Sequence, residues 1–218
     1  INGSEEDDII DGQLGNDAIF AKDGDDTVTG GLGNDRVFLG DGDDISSTGR
    51  TEVIATTGDD FIRGGAGDDF IIDALGSNTV FGDLGDDSIS VVDGLSATGF
   101  TVSTADFGTA DVASGGFGND GIVGDDGDTL TGGQGDDEFG ILANLDRAQD
   151  NVSITDFNPE EDSLVIGIID SSPGDPEVSF THDQERNGVA AAAKGTEIAF
   201  LQGLTAADIP QIRLELII

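Results

Sequence analysis

Aspartate recurs in this chain at fixed distances from glycine. In "GGLGNDRVFLGDGDD", residues 30–44, Asp35 and Asp44 stand nine apart and each closes a glycine-rich turn. Sliding the chain against itself by nine residues brings such turns into register, as is done first when glycine is abundant. Four segments match a full pattern: "GGLGNDRVF" at 30, "GGAGDDFII" at 64, "GGFGNDGIV" at 115 and "GGQGDDEFG" at 132. The sixth position holds Asp7, Asp17, Asp26, Asp35, Asp44, Asp60, Asp69, Asp87, Asp120 and Asp137, with Asn78 as the one amide. Carboxylates beside glycine carbonyls are the donors of a hard cation, and calcium takes about six to eight such oxygens. A solvated acidic face would not demand glycine at fixed offsets from each acid.

Composition supports the same chemistry. The 218 residues carry 46 acids against 8 bases, a formal net charge of -38, yet 36% are hydrophobic. That is too apolar for a disordered acidic tail, so the chain can bury a core. Compaction then crowds carboxylates, each repulsion at ~4 Å costing roughly 1 to 4 kcal/mol, so a counter-cation is expected. Cys, Met, Trp and Tyr are absent, which excludes disulfides and thiolate sites. His182 is the only histidine, which excludes H-E-x-x-H zinc chemistry, and "THDQER" around it predicts a surface loop. "GFGNDG" at 116–121 satisfies G-x-G-x-x-G, but it sits inside the nonapeptide with Asp120, Asp125 and Asp126 beside it and reads as a cation turn. No G-x-S-x-G elbow exists. Adjacent acid pairs belong to the turns rather than to glycosidase chemistry, and only "TVT" at 27–29 hints at an ice-binding threonine ladder. No catalytic residue is expected. The charge opposes nucleic acid or an anionic membrane as a partner, and no apolar run approaches the ~18 residues of a span. Ile1 opens no cleavable leader, as expected of a mature fragment or excised domain.

These turns must be held apart by short strands. An apolar residue follows each sixth-position acid by two: Ile9, Ile19, Val28, Val37, Ile62, Ile71, Val80, Ile89, Ile122, Leu130 and Phe139, while Ser46 follows Asp44. Three residues with one inward side chain make a short parallel strand, and the glycines make a turn needing positive φ. Two units return the chain to the same edge after 18 residues, so coils stack at about 4.8 Å. Register slips by one residue near Asp11 and Leu130 and is lost over about 46–57 and 91–113, where the ladder is expected to break into separate rows. The coil carrying Asp35 and Asp44 is then expected to end the first block, since the acid due near residue 53 is missing.

The pattern G-G-x-G-x-D-x-U-x, with U apolar, resembles the repeats-in-toxin (RTX) family over about residues 1–140. The resemblance implies an all-β parallel β-roll, a β-solenoid loaded with several calcium ions. It implies that carbonyls at the second and fourth positions and the sixth-position acid of one turn share an ion with the turn one coil on. Carried onto this sequence, the donors are Gly15, Asp17, Gly24, Asp26, Gly31, Gly33, Asp35, Gly42, Asp44, Gly58, Asp60, Gly65, Gly67, Asp69, Gly85, Asp87, Gly116, Gly118, Asp120, Gly133, Gly135 and Asp137. The implied pairs are Asp17 with Asp35, Asp26 with Asp44, Asp69 with Asp87 and Asp120 with Asp137; Asp60 faces Asn78, and Asp7 with Asp26 makes an outer site.

From residue 141 to 218 the period stops and strand-like runs follow: "NVSITDF", "DSLVIGII", "EVSFTH", "GTEIAFLQG" and "QIRLELII". "LTAADIP" predicts one turn of helix, and Ile154, Phe157, Leu164, Ile166, Phe180, Ile198 and Phe200 the core. A solenoid exposes its last apolar layer unless a terminal element covers it, so this segment is expected to be a C-terminal β cap. "ITDFNPEEDSLVI" at 154–166 resembles the segment after the roll in secreted RTX proteases, and the final "ELII" resembles the signal of type I secretion substrates. The bland alternative for "ELII" is an edge strand. The expectation is a secreted or cell-surface bacterial module that folds on extracellular calcium, with the type I secretion machinery as a candidate partner. It would serve as the C-terminal folding and secretion part of a larger protein. Two alternatives stay open: a structural surface protein (adhesin, surface layer or filament subunit) self-associating with calcium, and part of a secreted hydrolase or polysaccharide-modifying enzyme.

Overall fold

The computed structural model describes residues 1–47, 58–73, 76–93, 109–146, 149–170, 172, 174 and 176–217. The chain alternates between two sheets. One sheet takes, in spatial order, Ile9–Asp11, Thr27–Thr29, Ile45–Ser47, Phe70–Ile72, Ser88–Ser90, Gly121–Gly124, Glu138–Asn144, Ser163–Ile169 and Arg213–Ile217, all parallel. The other takes Ala18–Asp23, Arg36–Asp41, Phe61–Ala66, Thr79–Leu84, Val112–Phe117, Thr129–Gln134 and Val152–Ile154 in parallel, then Thr196–Gln202, Gly188–Ala193 and Val178–Asp183. This is the expected β-roll.

The strands are short because each buries few side chains. In one sheet Ile10, Val28, Ser46, Ile71, Ile89, Ile122, Phe139 and Leu164 stack in register. In the other the column is Ile19, Val37, Ile62, Val80, Ala113, Leu130 and Ile154. Every member is buried. The first coil corrects the sequence reading: Ile9 is 89% exposed and Ile10 points inward opposite Val28. Alternate strand residues face opposite sides, so a one-residue offset would turn the apolar side chain to solvent. Asp8, rather than Asp7, therefore precedes the inward residue by two.

The degenerate stretches do not break the ladder. Residues 48–57 and 94–108 lie outside the described residues, but the strands flanking them pair directly, Val37 with Ile62 and Val80 with Ala113. The coil beyond Asp44 has not lost its acid, because Asp60 stacks on Asp35 in the place that spacing alone assigned to residue 53, and Asp69 then stacks on Asp44. Parallel pairing constrains only the strand residues, so extra chain at a turn leaves the stack intact.

The strand Glu138–Asn144 crosses residue 140 without interruption, and the last third continues both sheets. Val152–Ile154 pairs with Thr129–Gln134 on one side and with Thr196–Gln202 on the other. The strand Gly188–Ala193 is absent from the sequence reading, because an alanine run has low strand propensity. It forms through antiparallel pairing on both sides, and positive φ at Lys194 (49°) and Gly195 (83°) makes the two-residue hairpin turn. Of the expected core, Ile154, Phe157, Leu164, Ile166, Ile198 and Phe200 are buried and Phe180 is half-buried. "LTAADIP" leads into a 3-10 helix, Ile209–Gln211. His182 lies on the edge strand Val178–Asp183, opposite Val189, and not in a loop.

Ser46 is the misfit of the core. It is fully buried between Val28 and Ile71, and its hydroxyl has no hydrogen-bond partner. An unpaired buried hydroxyl is destabilising. Ser46→Val is expected to raise unfolding free energy in saturating calcium by about 1 kcal/mol, read as a higher denaturant midpoint; an unchanged or lower midpoint would count against this packing.

Candidate metal centre

The turns that join the sheets carry two buried rows of acids, one on each edge of the roll. Along one edge the backbone N–H of Asp8 donates to Asp26 Oδ1 (2.7 Å), that of Asp26 to Asp44 (2.7 Å), Asp44 to Asp69 (2.9 Å), Asp69 to Asp87 (2.9 Å), Asp87 to Asp120 (2.8 Å), Asp120 to Asp137 (2.9 Å) and Asp137 to Asp162 (3.0 Å). Along the other, Asp17 donates to Asp35, Asp35 to Asp60, Asp60 to Asn78, Asn78 to Asp111 and Asp111 to Asp128. The sequence separation along a row is 18 in regular coils and 25, 33 or 17 elsewhere.

One oxygen of each carboxylate is thus tied to the neighbouring coil. The other is not. Oδ2 of Asp17, Asp26, Asp35, Asp44, Asp69, Asp87, Asp111 and Asp120 is buried without a hydrogen-bond partner. Among the described residues no basic side chain pairs with a row acid: Arg63 binds Asp83, Arg186 binds Asp183 and Glu197, and Lys194 binds Asp170. Buried charges without partners are costly, and such a row exists only if something compensates it.

The glycines supply further oxygens. Gly24, Gly42, Gly67, Gly85, Gly118 and Gly135 stack in one fourth-position column, and Gly15, Gly33, Gly58 and Gly76 in the other. A Cβ on Gly118, at φ 137°, would lie 1.8 Å from the Gly85 carbonyl oxygen, so only glycine lets the coils approach this closely. No backbone N–H among the described turns bonds to the carbonyls of Gly24, Gly42, Gly67, Gly85 or Gly118. At the second position, Gly40, Gly65, Gly116 and Gly133 form a column with Lys22 and Asp83, while Gly31 stacks on Gln13. Free carbonyls beside unpartnered carboxylate oxygens suit a hard divalent cation. No three His, Cys, Asp or Glu side chains converge among the described residues, so any ion here is held by main chain and carboxylates together.

The structure brings together Asp17 with Asp35, Asp26 with Asp44, Asp69 with Asp87, Asp120 with Asp137 and Asp60 with Asn78. Asp7 does not face Asp26; its Oδ1 accepts from the N–H of Asp25 instead. Spacing alone missed Asp111, Asp128 and Asp162, which lie at or beyond irregular coil lengths, and took Asp7 in place of the adjacent Asp8, a regular 18 residues before Asp26. It also missed an outer, exposed ladder of fifth-position residues: Asp7, Asp25, Asp43, Asp68, Asp86 and Asn119, each Oδ1 accepting from the N–H of the next coil, with Asp136 as the last donor. The signal for it was the recurring "DD" or "ND" pair.

An RTX calcium-binding nonapeptide-repeat domain covers part of this chain: the family model for that repeat, in four copies, matches residues 1–28, 11–46 and 54–89. The repeat family is a non-catalytic one that binds calcium through its acidic turns. Among solved structures, the chain is similar to the extracellular lipase LipA from Serratia marcescens at 18% identity and a TM-score of 0.31, over 97% of this chain and 38% of that one. The chain thus spans well under two thirds of that protein's length. No curated protein matches the chain. Among the described residues no helix is long and apolar enough to cross a membrane.

Burial, above all, raises the row acids beyond Asp17 above the ordinary carboxylate range. Asp44, Asp60, Asp87, Asp120 and Asp137 are pushed to about 6, and Asp128 to about 7. Asp69 is pushed to about 8 and Asp111 to about 9, burial again leading and neighbouring acids adding to it. A raised folded-state pKa favours the protonated fold, so its stabilisation is complete below the unfolded value near 4 and is lost as pH rises through the folded values. In chelator, the roll is therefore expected to be most stable near pH 4 and to lose stability as pH rises from about 4 to about 9 through the folded values. Circular dichroism against pH without calcium checks this; greater stability at pH 8 than at pH 4 would contradict it.

Proposed function

We propose that this chain is the calcium-triggered folding and secretion module at the C-terminal end of a larger extracellular bacterial protein. The observation that carries the reading is the pair of rows in which Oδ2 of Asp17, Asp26, Asp35, Asp44, Asp69, Asp87, Asp111 and Asp120 is buried without a hydrogen-bond partner. Asp17, Asp26, Asp35, Asp44, Asp69, Asp87, Asp120 and Asp137, with the carbonyls of Gly15, Gly24, Gly33, Gly42, Gly58, Gly67, Gly85, Gly118 and Gly135, would hold the calcium ions. Gly31, Gly65, Gly116 and Gly133 would contribute from the second position. Bound calcium supplies positive charge against the crowded carboxylates, which the chain's few bases do not.

The row acids then make the fold conditional. Metal-free, their repulsion and the entropy of the glycine turns oppose ordering. At tenfold its dissociation constant each site adds about 1.4 kcal/mol, and sites that share coils add cooperatively. A chain that stays extended in low calcium can be threaded through an export channel and fold outside. The meander Val178–Asp183, Gly188–Ala193 and Thr196–Gln202 and the strand Arg213–Ile217 would end the solenoid as its cap.

A second reading, a surface protein assembling with calcium, is favoured by one observation. The strand Arg213–Ile217 ends its sheet with Leu216 and Ile217 exposed, and an open strand edge is a template for another chain.

A calcium titration followed by far-ultraviolet circular dichroism is expected to show cooperative gain of β signal, absent in chelator. Asp87→Ala is expected to raise the calcium midpoint about tenfold, near 1.4 kcal/mol. A chain fully folded in chelator at neutral pH would sink the proposal. Calcium-dependent growth of the scattering mass would move the assignment to the second reading.

A further inference from the structure

One coil departs from the acid rule. Asn78 occupies the row between Asp60 and Asp111, accepting from the N–H of Asp60 (3.0 Å) and donating its own N–H to Asp111 Oδ1 (2.6 Å). It is 2% exposed, and its Nδ2 is buried without a partner. An amide at this point removes one carboxylate from the cleft, which by charge alone would leave the coil empty.

The same turn gains a carboxylate elsewhere. Five residues before the row acid, regular turns on this edge place glycine: Gly12 before Asp17 and Gly30 before Asp35. A Cβ on Gly12 would lie 3.1 Å from Asp17 Oδ2, and one on Gly30 would lie 2.6 Å from Asp35 Oδ2. A side chain rooted at that position therefore runs beside the oxygen that faces the cleft. Five residues before Asn78 stands Asp73, whose N–H bonds to the Ser90 carbonyl as that of Gly12 bonds to Thr29. Asp73 is 1% exposed. The acid lost at the sixth position reappears at the first.

The next coil faces this place. Asp111 is 1% exposed, its Oδ1 is bound to Asn78 and its Oδ2 has no partner. The charges that reach it are those of Asp128, Asp93 and Asp73. Asp93 Oδ2 also accepts from the N–H and hydroxyl of Thr109, joining the two ends of the inserted segment beside the same cleft. Gly76, at φ 112°, stacks on Gly58 and continues the carbonyl column here.

We propose that Asp73 replaces the carboxylate that Asn78 lacks, so that Asp73 and Asp111, with turn carbonyls between them, hold a calcium ion at this irregular coil. The assignment rests on the calcium-binding reading above. It gives the site the same two carboxylates as a regular coil, delivered from a different position of the turn. It also places an ion where the insertion over 94–108 leaves and rejoins the roll, which is where a row would otherwise be weakest.

Native mass spectrometry of the whole chain in saturating calcium, with circular dichroism to confirm folding, tests this by counting ions. Asp73→Asn is expected to bind one ion fewer than the unchanged chain. Asn78→Asp alone is expected to bind the same number, because the site is already filled, and Asp73→Asn with Asn78→Asp together to restore the full count. An undiminished count in Asp73→Asn, or one ion gained in Asn78→Asp, overturns the assignment. If Asp73→Asn does not fold, Asn78→Asp decides by itself in the same two directions. An unchanged chain that binds no calcium defeats the proposed function as well, whereas a calcium-loaded chain indifferent to these substitutions defeats only the role of Asp73.

Discussion

The structure depends on a carboxylate that is half satisfied. Row acids lend Oδ1 to a backbone N–H of the neighbouring coil, and Asp17, Asp26, Asp35, Asp44, Asp69, Asp87, Asp111 and Asp120 bury Oδ2 without a hydrogen-bond partner. The first contact sets the register of the stack. The second leaves charge in a place where desolvation is expensive and like charges adjoin. Proteins of this size usually fold by closing a broad apolar core, but the strands from Ile9–Asp11 to Thr129–Gln134 each bury at most two apolar residues. Its coils are so close on the turn edges that glycine carbonyls fill the space. Cohesion there has to come from charge compensation, and the row geometry is what makes that compensation specific.

The same constraint explains the asymmetry between inner and outer acids. The fifth-position ladder hydrogen-bonds in the opposite sense to the sixth-position row and faces solvent, where water screens it. The sixth-position row is buried, and burial raises Asp44 to about 6 and Asp69 to about 8. Adjacent aspartates that look equivalent in "DD" thus divide into a solvated rail and a buried one. Composition alone does not separate them, because the distinction lies in which side of a turn each residue faces.

The terminal segment belongs to the same architecture. Val152–Ile154 and Ser163–Ile169 extend the two sheets, with Ile154 and Leu164 continuing the inward columns. The antiparallel meander then ends one sheet and Arg213–Ile217 the other. The transition from nonapeptide turns to ordinary strands is a change in what fills the turn edge rather than a change of core.

The sequence by itself determined the repeat unit. Glycine at fixed offsets from aspartate, with an apolar residue two beyond, dictated short parallel strands, 18-residue coils and oxygen-lined turns, and it named most of the acids that face one another. These are local consequences of φ, side-chain alternation and charge, all legible within nine residues. Only the tertiary structure decided the register at the ends and across the insertions. It put Ile10 and Asp8 in place of Ile9 and Asp7, carried the rows from Asp44 to Asp69 and from Asp87 to Asp120, and admitted Asp111, Asp128 and Asp162. The physical reason is that pairing between coils acts through space: it selects which residues stack and is indifferent to how much chain loops out between them, whereas a reading by period counts every residue.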